Sequence, residues 1–172
     1  MSYFEFVGKN PRTLYGILKY VKNEEKTKHP LMYGFGLQPD SAYEEMKAVQ
    51  KLWHQTNGRQ YRQFFFSFDS NINLPDEILM KIGYEIGLYY ANDYQILMTM
   101  HFNTSNIHIH YVLNTVNVYT GKKFRQTKLD LFNYKLYINQ ILSSYKLPLI
   151  EMHLTQAELL EIDLENDIAP TE

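Results

Sequence analysis

Apolar residues recur along the chain with two different spacings, and these spacings predict the order of the elements. Where every second residue is apolar we expect a strand, and where apolar residues fall three and four apart we expect a helix. The predicted elements are a strand at residues 3–7, a helix at about 11–22, an extended run at 31–37, a helix from 40 or 41 to about 55, a strand at 61–68, a helix opening at 74–77, paired strands at 98–102 and from 107 onward, and a helix at about 130–145. This order implies an α+β fold in which about five mainly antiparallel strands form one sheet flanked by helices.

Local signals support several of these boundaries. Asn10 followed by Pro11 is typical of a helix start, because asparagine caps free backbone N–H groups and proline suits the first turn. The aromatic run at residues 62–68 favours a strand that is buried on both faces and lies inside the sheet. Pro148 closes the last helix. We therefore assign residues 1–150 to one domain and residues 151–172 to an acidic C-terminal extension, either a helix leaning on the domain or a disordered segment.

The charge of the chain is unevenly distributed. Its 172 residues carry a formal net charge of -2, but seven of the 19 acidic residues follow Leu149 and none of the 17 basic residues does. Residues 1–150 therefore carry 17 basic residues against 12 acidic ones, a net charge of about +5. A basic domain of this kind attracts the phosphates of nucleic acids.

Composition also restricts the chemistry and the location. There is no cysteine, so disulfides and thiolate ligands are excluded and any metal must be held by histidine or carboxylate side chains. No apolar run approaches the roughly 18 to 20 residues that cross a bilayer, and the first residues do not resemble a signal peptide. These features predict a soluble, cytoplasmic protein.

Three of the six histidines lie between residues 101 and 110. His108 and His110 are two residues apart, so both imidazoles lie on one face of the predicted strand. If residues 103–106 form a hairpin loop, His101 lies directly opposite His108 and the three rings converge. We expect this face, continuing through Val112 to Asn114, to lie outside the core. The alternative is that the histidines only line a solvated strand.

Three neutral imidazoles make a metal site with positions left open for phosphate oxygens or water. A metal held there polarises a phosphodiester and stabilises charge on its oxygens, so the site then needs only a nucleophile. With 15 tyrosines in the chain, a phenolic oxygen is a reasonable candidate. Its attack on phosphorus gives a phosphotyrosyl link that conserves the bond energy for later rejoining.

At this point the residues resemble a known family. The segments that carry the resemblance are His101 with His108-Ile-His-Tyr-Val-Leu-Asn-Thr-Val-Asn117 and Thr120-Gly-Lys-Lys123, then Leu18-Lys-Tyr-Val-Lys-Asn-Glu-Glu-Lys-Thr27, and Phe64-Phe-Phe-Ser-Phe68. The first resembles the third motif of conjugative relaxases, which belong to the HUH endonuclease superfamily. The second and third resemble the first and second motifs of MOBP-type relaxases. The three lie in the family's order and cover most of the chain.

The resemblance implies a metal-dependent DNA nicking enzyme that acts at an origin of transfer through a 5′-phosphotyrosyl intermediate. It implies Tyr20 as the nucleophile and His101, His108 and His110 as ligands of Mg²⁺ or Mn²⁺. Three histidines would also bind Zn²⁺, Co²⁺ or Ni²⁺ by intrinsic affinity. The residues expected to contact DNA are Ser67, Asn114, Lys26, Lys122, Lys123 and Arg125. The implied partners are single-stranded or extruded origin DNA and relaxosome accessory proteins.

Tyr15 is the competing nucleophile, because it lies on the same predicted helix. At 100° per residue it is about 140° around the helix from Tyr20, so both can hardly face one metal. The chain also departs from the family, which commonly has an aspartate at the position of Asn103. Asp69 and Glu5 are therefore the acids to examine as partners for the histidines.

Three other functions stay open at this point. A replication initiator or transposase of the same superfamily would use the same chemistry, although its tyrosine usually follows the histidine pair. A non-catalytic nucleic-acid-binding module would use the histidines structurally. A three-histidine hydrolase acting on small substrates would need neither DNA affinity nor Tyr20.

Overall fold

One antiparallel sheet organises the chain. The computed structural model describes residues 1–9, 11–23, 31–102 and 105–152. The strands are β1 (Tyr3–Phe6), β2 (Met32–Phe35), β3 (Tyr61–Ser67), β4 (Ile96–His101) and β5 (His108–Asn114), and the helices are α1 (Leu14–Val21), α2 (Ala42–Leu52), α3 (Asp76–Ala91) and α4 (Lys128–Ser144). In the described ranges all pairings are antiparallel, in the order β1-β3-β5-β4-β2. The predicted α+β class and order of elements are confirmed.

The first helix begins later than the sequence predicts. Its N-cap is Thr13, whose hydroxyl oxygen accepts a hydrogen bond from the Gly16 N–H at 3.1 Å. Proline does not require a helix to start at its own position, and here a threonine two residues after Pro11 satisfies the free N–H groups. The predicted cap Asn10 lies outside the described residues.

Capping also explains the ends of the other helices. The last helix starts at Lys128, two residues before the predicted position, because Thr127 and Asp130 form a reciprocal capping box. The same helix ends before Lys146, which has a positive φ of 57°. The second helix ends at Leu52 instead of about residue 55, because His54 also has a positive φ, of 54°.

Helices cover both faces of the sheet. Helices α3 and α4 pack on one face, in a core that includes Phe64, Phe66 and Tyr111. Helices α1 and α2 pack on the other face, in a smaller core around Leu97 and Val112. The prediction that the β5 face from the histidines to Asn114 lies outside the core is therefore wrong at Val112 and Asn114, which are both 0% exposed, whereas His108 and His110 are only half-buried. The sequence pattern of β5 shows that one of its faces is apolar. It does not reveal whether helices also cover the other face.

A buried amide network connects the smaller core to the sheet. Asn114 is 0% exposed. Its amide nitrogen donates to Gln95 Oε1 at 3.0 Å and to the Met46 carbonyl at 3.3 Å, while its oxygen accepts from Gln50 Nε2 at 3.0 Å. Because buried polar groups are costly unless they are hydrogen-bonded, this network fixes α2 relative to β5.

The turn at Thr120-Gly121 requires glycine at its second position for steric reasons. Gly121 has φ +68°, and a Cβ atom there would lie 2.4 Å from the Trp53 ring. The Trp53 indole N–H donates to the Val118 carbonyl at 3.2 Å, so the ring is held over the turn. Only glycine satisfies both the backbone conformation and the close approach of the ring.

None of the helices in the described part of the chain combines the length and the apolar character needed to cross a bilayer.

We predict that Gly121→Ala lowers the free energy of unfolding by about 2 to 3 kcal/mol, because it combines an unfavourable φ with a clash against Trp53. Gly58→Ala is the matched control. Gly58 has a similar φ of +71°, but nothing lies within 4 Å of the added Cβ, so only about 1 kcal/mol of strain is expected. Urea unfolding of both variants measures the difference, and equal losses would contradict the steric role of Trp53.

Candidate functional site

The β4–β5 pairing brings the three histidines together. His101 and His108 are direct partners across the two strands, as predicted, and His110 lies opposite Thr99. Because side chains alternate along a strand, all three imidazoles lie on the face that carries α1 and α2. The helices cover the Leu97 and Val112 end of this face. The histidines occupy the other end.

The rings form a compact patch. The ring centroids of His101 and His110 are 4.3 Å apart, and those of His108 and His110 are 6.2 Å apart. Phe65 on the neighbouring strand lies 5.8 Å from His110 and 6.1 Å from His108, centroid to centroid. His101 is only 2% exposed, whereas the other two are half-buried. The patch is therefore deepest at His101 and opens towards His108.

A hydrogen bond links His101 to the end of α1. Nε2 of His101 lies 2.7 Å from the carbonyl oxygen of Val21 and 3.3 Å from Oγ1 of Thr99. A carbonyl oxygen only accepts, so Nε2 carries the proton and donates. The neutral ring then has its lone pair on Nδ1. Histidines that bind metals usually donate their second N–H to such a carbonyl, which fixes ring orientation.

His110 is held from the β3 side. The amide nitrogen of Gln63 lies 3.4 Å from Nδ1 of His110. As an N–H group it donates to Nδ1 and puts the ring proton on Nε2. A half-turn of the amide would present its oxygen instead, and the lone pair would then be on Nε2. With the amide nitrogen towards His110, Nδ1 accepts from Gln63 and Nε2 is protonated, so a metal would bind Nε2 only after the amide turns.

Burial favours the neutral form of His108. Desolvation lowers the pKa of its imidazole, and a backbone hydrogen bond with Asn106 partly opposes this by raising it. A lowered pKa means that the ring is neutral at pH 7 and stays neutral to lower pH than a free histidine. Neutral imidazole is the form that ligates metals.

The imidazole nitrogens are suitable metal ligands, but their positions do not converge on a single metal ion. Within the described ranges, no group of three His, Asp or Glu side chains is arranged to hold a metal ion. Two imidazoles that share a metal at about 2.1 Å from each nitrogen have ring centres roughly 4.5 to 6.5 Å apart. The 6.2 Å separation of His108 and His110 lies within this range, and the 4.3 Å separation of His101 and His110 lies just below it. The side chains would have to turn before their ligand nitrogens shared one metal.

The two acids considered as partners for the histidines have other partners. Glu5 accepts a hydrogen bond from the Tyr3 hydroxyl at 2.6 Å. Asp69 forms an ion pair with the N-terminal ammonium group of Met1 and accepts from Asn71. The hydrogen bond from the N-terminus is the main reason why the pKa of Asp69 is lowered. Asn103 lies outside the described residues.

The two candidate nucleophiles occupy different sides of α1. Tyr20 is partly buried against the smaller core, and the Arg12 guanidinium carbon lies 4.2 Å from the centre of its ring. Tyr15 is 58% exposed and packs edge-on against Tyr43 at 5.4 Å. Tyr20 directly precedes Val21, the residue whose carbonyl contacts His101. The helix end that carries Tyr20 therefore touches the histidine patch.

The residues expected to contact DNA fall into different environments. Ser67 is the β3 partner of His108, so it adjoins the patch, although it is only 5% exposed. Asn114 is in the buried amide network and does not reach the surface. Lys26 lies outside the described residues.

The three basic residues that follow the hairpin also differ. Lys122 and Arg125 are exposed. The Lys123 ammonium group donates to the carbonyl oxygens of Gln55 at 3.3 Å and Arg59 at 2.9 Å. It therefore holds the loop before β3, which is a structural task.

Sequence reasoning missed four residues that surround the candidate site, namely Gln63, Phe65, Thr99 and Arg12. Strand alternation could have found Gln63 and Phe65, because they are four and two residues before Ser67, respectively, and share its face. Thr99 is likewise two residues before His101. Arg12 precedes α1 and reaches Tyr20 only through the fold, so no sequence spacing indicates it.

The chain has relatives among known proteins. Over 123 residues it is 28% identical to a Staphylococcus aureus protein named Protein rlx, covering 69% of this chain and 37% of that protein. Two further proteins of that name and organism are 30% identical over 99 residues and 26% identical over 95 residues, each covering 55% of this chain and 29% or 30% of the relative. The matches thus span about a third of the length of these relatives. Residues 20–147 match the family model described as relaxase, MobA/VirD2-like, nuclease domain, and the chain belongs to this family.

Proposed function

We propose that this chain nicks one strand of DNA at an origin of transfer, with Tyr20 as the nucleophile, and so starts conjugative transfer or mobilisation. Family membership supports a DNA-nicking enzyme. The observation that carries the assignment of residues is the 2.7 Å contact between the Val21 carbonyl and His101, which anchors the helix end bearing Tyr20 to the histidine patch.

His101, His108 and His110 would hold a divalent metal, Mg²⁺ or Mn²⁺. When bound, it would neutralise charge on the non-bridging oxygens of the scissile phosphate. Val21 orients His101 through its carbonyl, and Gln63 orients His110 through its amide. Burial keeps His108 neutral.

Tyr20 would supply the covalent chemistry. Its phenolic oxygen loses a proton and forms a bond to phosphorus, while the bond between phosphorus and the 3′ oxygen of the preceding nucleotide breaks. That oxygen takes up a proton and leaves as a free 3′-OH, and the 5′ phosphate stays on the tyrosine. Arg12 packs on the Tyr20 ring, limits its rotation and places positive charge next to it.

The substrate would be single-stranded or extruded origin DNA. Lys122 and Arg125, which are exposed, would contact the phosphate backbone, and Ser67 would adjoin the scissile phosphate beside His108. Relaxosome accessory proteins would complete the complex at the origin. A single experiment tests the central claim. The protein is incubated with Mn²⁺ and a panel of single-stranded origin oligonucleotides, and covalent adducts are sought on a denaturing gel.

We expect Tyr20→Phe to form no covalent adduct, because the substitution removes only the attacking oxygen. Its affinities for metal and DNA should stay near those of the unmodified protein. Tyr15→Phe is the matched control on the same helix and should still form the adduct. Peptide mapping that placed the DNA on Tyr15, or on any residue other than Tyr20, would refute the assignment of the nucleophile while leaving the histidine site in place.

We expect His108→Ala and His110→Ala to abolish nicking. They should also weaken Mn²⁺ binding by more than the roughly 10- to 100-fold that is lost when a residue hydrogen-bonded to a metal ligand is removed. Each variant removes one of three ligands. His54→Asn is the control, since His54 is exposed and asparagine tolerates its positive φ. Calorimetric titration with Mn²⁺ measures the affinity. Unchanged metal binding together with unchanged nicking would assign the histidines a structural role.

A further inference from the structure

The side of α4 that faces away from the sheet carries two large apolar side chains, Phe132 and Leu136. The buried residues Tyr134 and Ile138 face the core that α3 and α4 share. At about 100° per residue, Leu136 lies about 160° around the helix from each of them and about 40° from Phe132. Leu136 is 41% exposed and Phe132 is partly buried, and among the residues that the structure describes neither belongs to the core on either face of the sheet. We call these two residues the outer patch of α4.

The chain returns to the outer patch after α4 has ended. The Ile150 N–H donates to Oδ1 of Asn139 at 2.8 Å, and the Asn139 amide nitrogen donates to the Ile150 carbonyl at 3.2 Å. Asn139 lies inside α4, before the helix end at Ser144, so the chain at Ile150 has turned back along the helix. Asn139 is about 20° around the helix from Phe132 and about 60° from Leu136. The chain therefore continues from a point beside the outer patch.

The sequence that follows has the pattern of an amphipathic helix. Residues 153–172 lie outside the described ranges. Thr155 and Glu158 have the spacing of a capping box, and Leu154 and Leu159 have the spacing of a hydrophobic staple. The apolar residues that then share one side of the predicted helix are Ala157, Leu160, Leu164 and Ile168. The residues that flank this side are the acidic Glu158, Glu161, Asp163, Glu165 and Asp167.

The outer patch and this segment are complementary in charge. All of the aspartate, glutamate, lysine and arginine side chains that follow Leu149 are acidic. On α4, Lys128 and Lys135 lie about 40° and about 60° around the helix from Phe132, and both are at least partly exposed. An apolar stripe with acidic flanks therefore matches an apolar patch with a basic flank, which favours one alignment of the two helices.

We propose that residues 155–168 form a helix that packs antiparallel to α4, with Leu160 and Leu164 against the outer patch. A helix from 156 to 168 is about 20 Å long, and the side of α4 from Asn139 back to Lys128 is about 17 Å long, so the two match. Helix α4 lies on the face of the sheet opposite to α1, α2 and the histidines. Docking there holds the acidic side chains away from the candidate site, where they would repel a phosphate backbone. The proposal rests on no part of the nicking chemistry.

Disulfide crosslinking tests this contact in the full chain, which has no cysteine of its own. Leu136→Cys is combined in turn with Leu160→Cys, Leu164→Cys and Ile162→Cys. A disulfide needs Cβ atoms about 3.5 to 4.5 Å apart. At least one of the first two pairs should close within one chain about ten-fold faster than the Ile162 pair, because Ile162 is about 160° around the predicted helix from Leu160 and Leu164. A segment that is only tethered would close all three pairs at similar rates.

Urea unfolding supplies a second measurement on variants without cysteine. Leu164→Ser should raise the ratio of unfolded to folded protein roughly five- to 30-fold, because it removes an apolar side chain from a buried contact. Ile162→Ser is the matched control and should leave the ratio nearly unchanged. Leu136→Ser should act like Leu164→Ser, and the double variant should lose less than the two single losses combined, since both act on one contact. Leu52→Ser is its control, because Leu52 is 71% exposed.

The proposal is overturned if the three cysteine pairs close at similar rates, or if Leu164→Ser and Leu136→Ser unfold like their controls. Either result would leave the outer patch to another partner. Disulfides that join two chains instead of closing within one would also overturn it, because the occupant of the outer patch would then be a second copy of this chain. Denaturing electrophoresis without reductant separates the linked pair from the single chain.

Discussion

The candidate site depends on the register of the β4–β5 pair. Because the pairing places His101 directly opposite His108, one antiparallel contact gathers the three imidazoles from two strands. If β5 were shifted by one residue relative to β4, the side chains of one strand would turn to the other face of the sheet, against α3 and α4. The register is held by buried partners on that other face, where Met98 pairs with Tyr111 and the Tyr111 hydroxyl donates to the Gly83 carbonyl at 2.8 Å. The core on the α3 and α4 face thus positions the three histidines, which lie on the opposite face.

The second constraint is that α1 and α2 cover only part of their face. Apolar side chains such as Leu97 and Val112 fill the covered end, while polar and aromatic side chains occupy the other end. The boundary falls where α1 stops, at Val21, and the last carbonyl there is used by His101. Helix termini leave carbonyl groups without partners inside the helix, so the end of α1 is able to serve the site without weakening the helix.

The order of elements and the histidine pairing were predictable because both follow from local periodicity. The period of two along β5 puts His108 and His110 on one face, and a short loop determines the pairing with His101. The burial of Val112 and Asn114 was not predictable in this way. Alternation along a strand distinguishes its two faces, but it does not reveal that a helix from elsewhere covers the second face. The contact of Arg12 with the Tyr20 ring has the same origin, since the fold makes it and no motif links the two residues.

Arg12 and Gln63 show how residues outside the recognised motifs support the candidate site. Each side chain contacts a residue with a proposed chemical role, Tyr20 or His110. The Arg12 guanidinium carbon lies 4.2 Å from the centre of the Tyr20 ring, so it places positive charge beside the phenol. The orientation of the Gln63 amide is linked to which nitrogen of His110 carries the proton. Both side chains therefore act on groups that the sequence pattern identified, although only the fold brings them into contact.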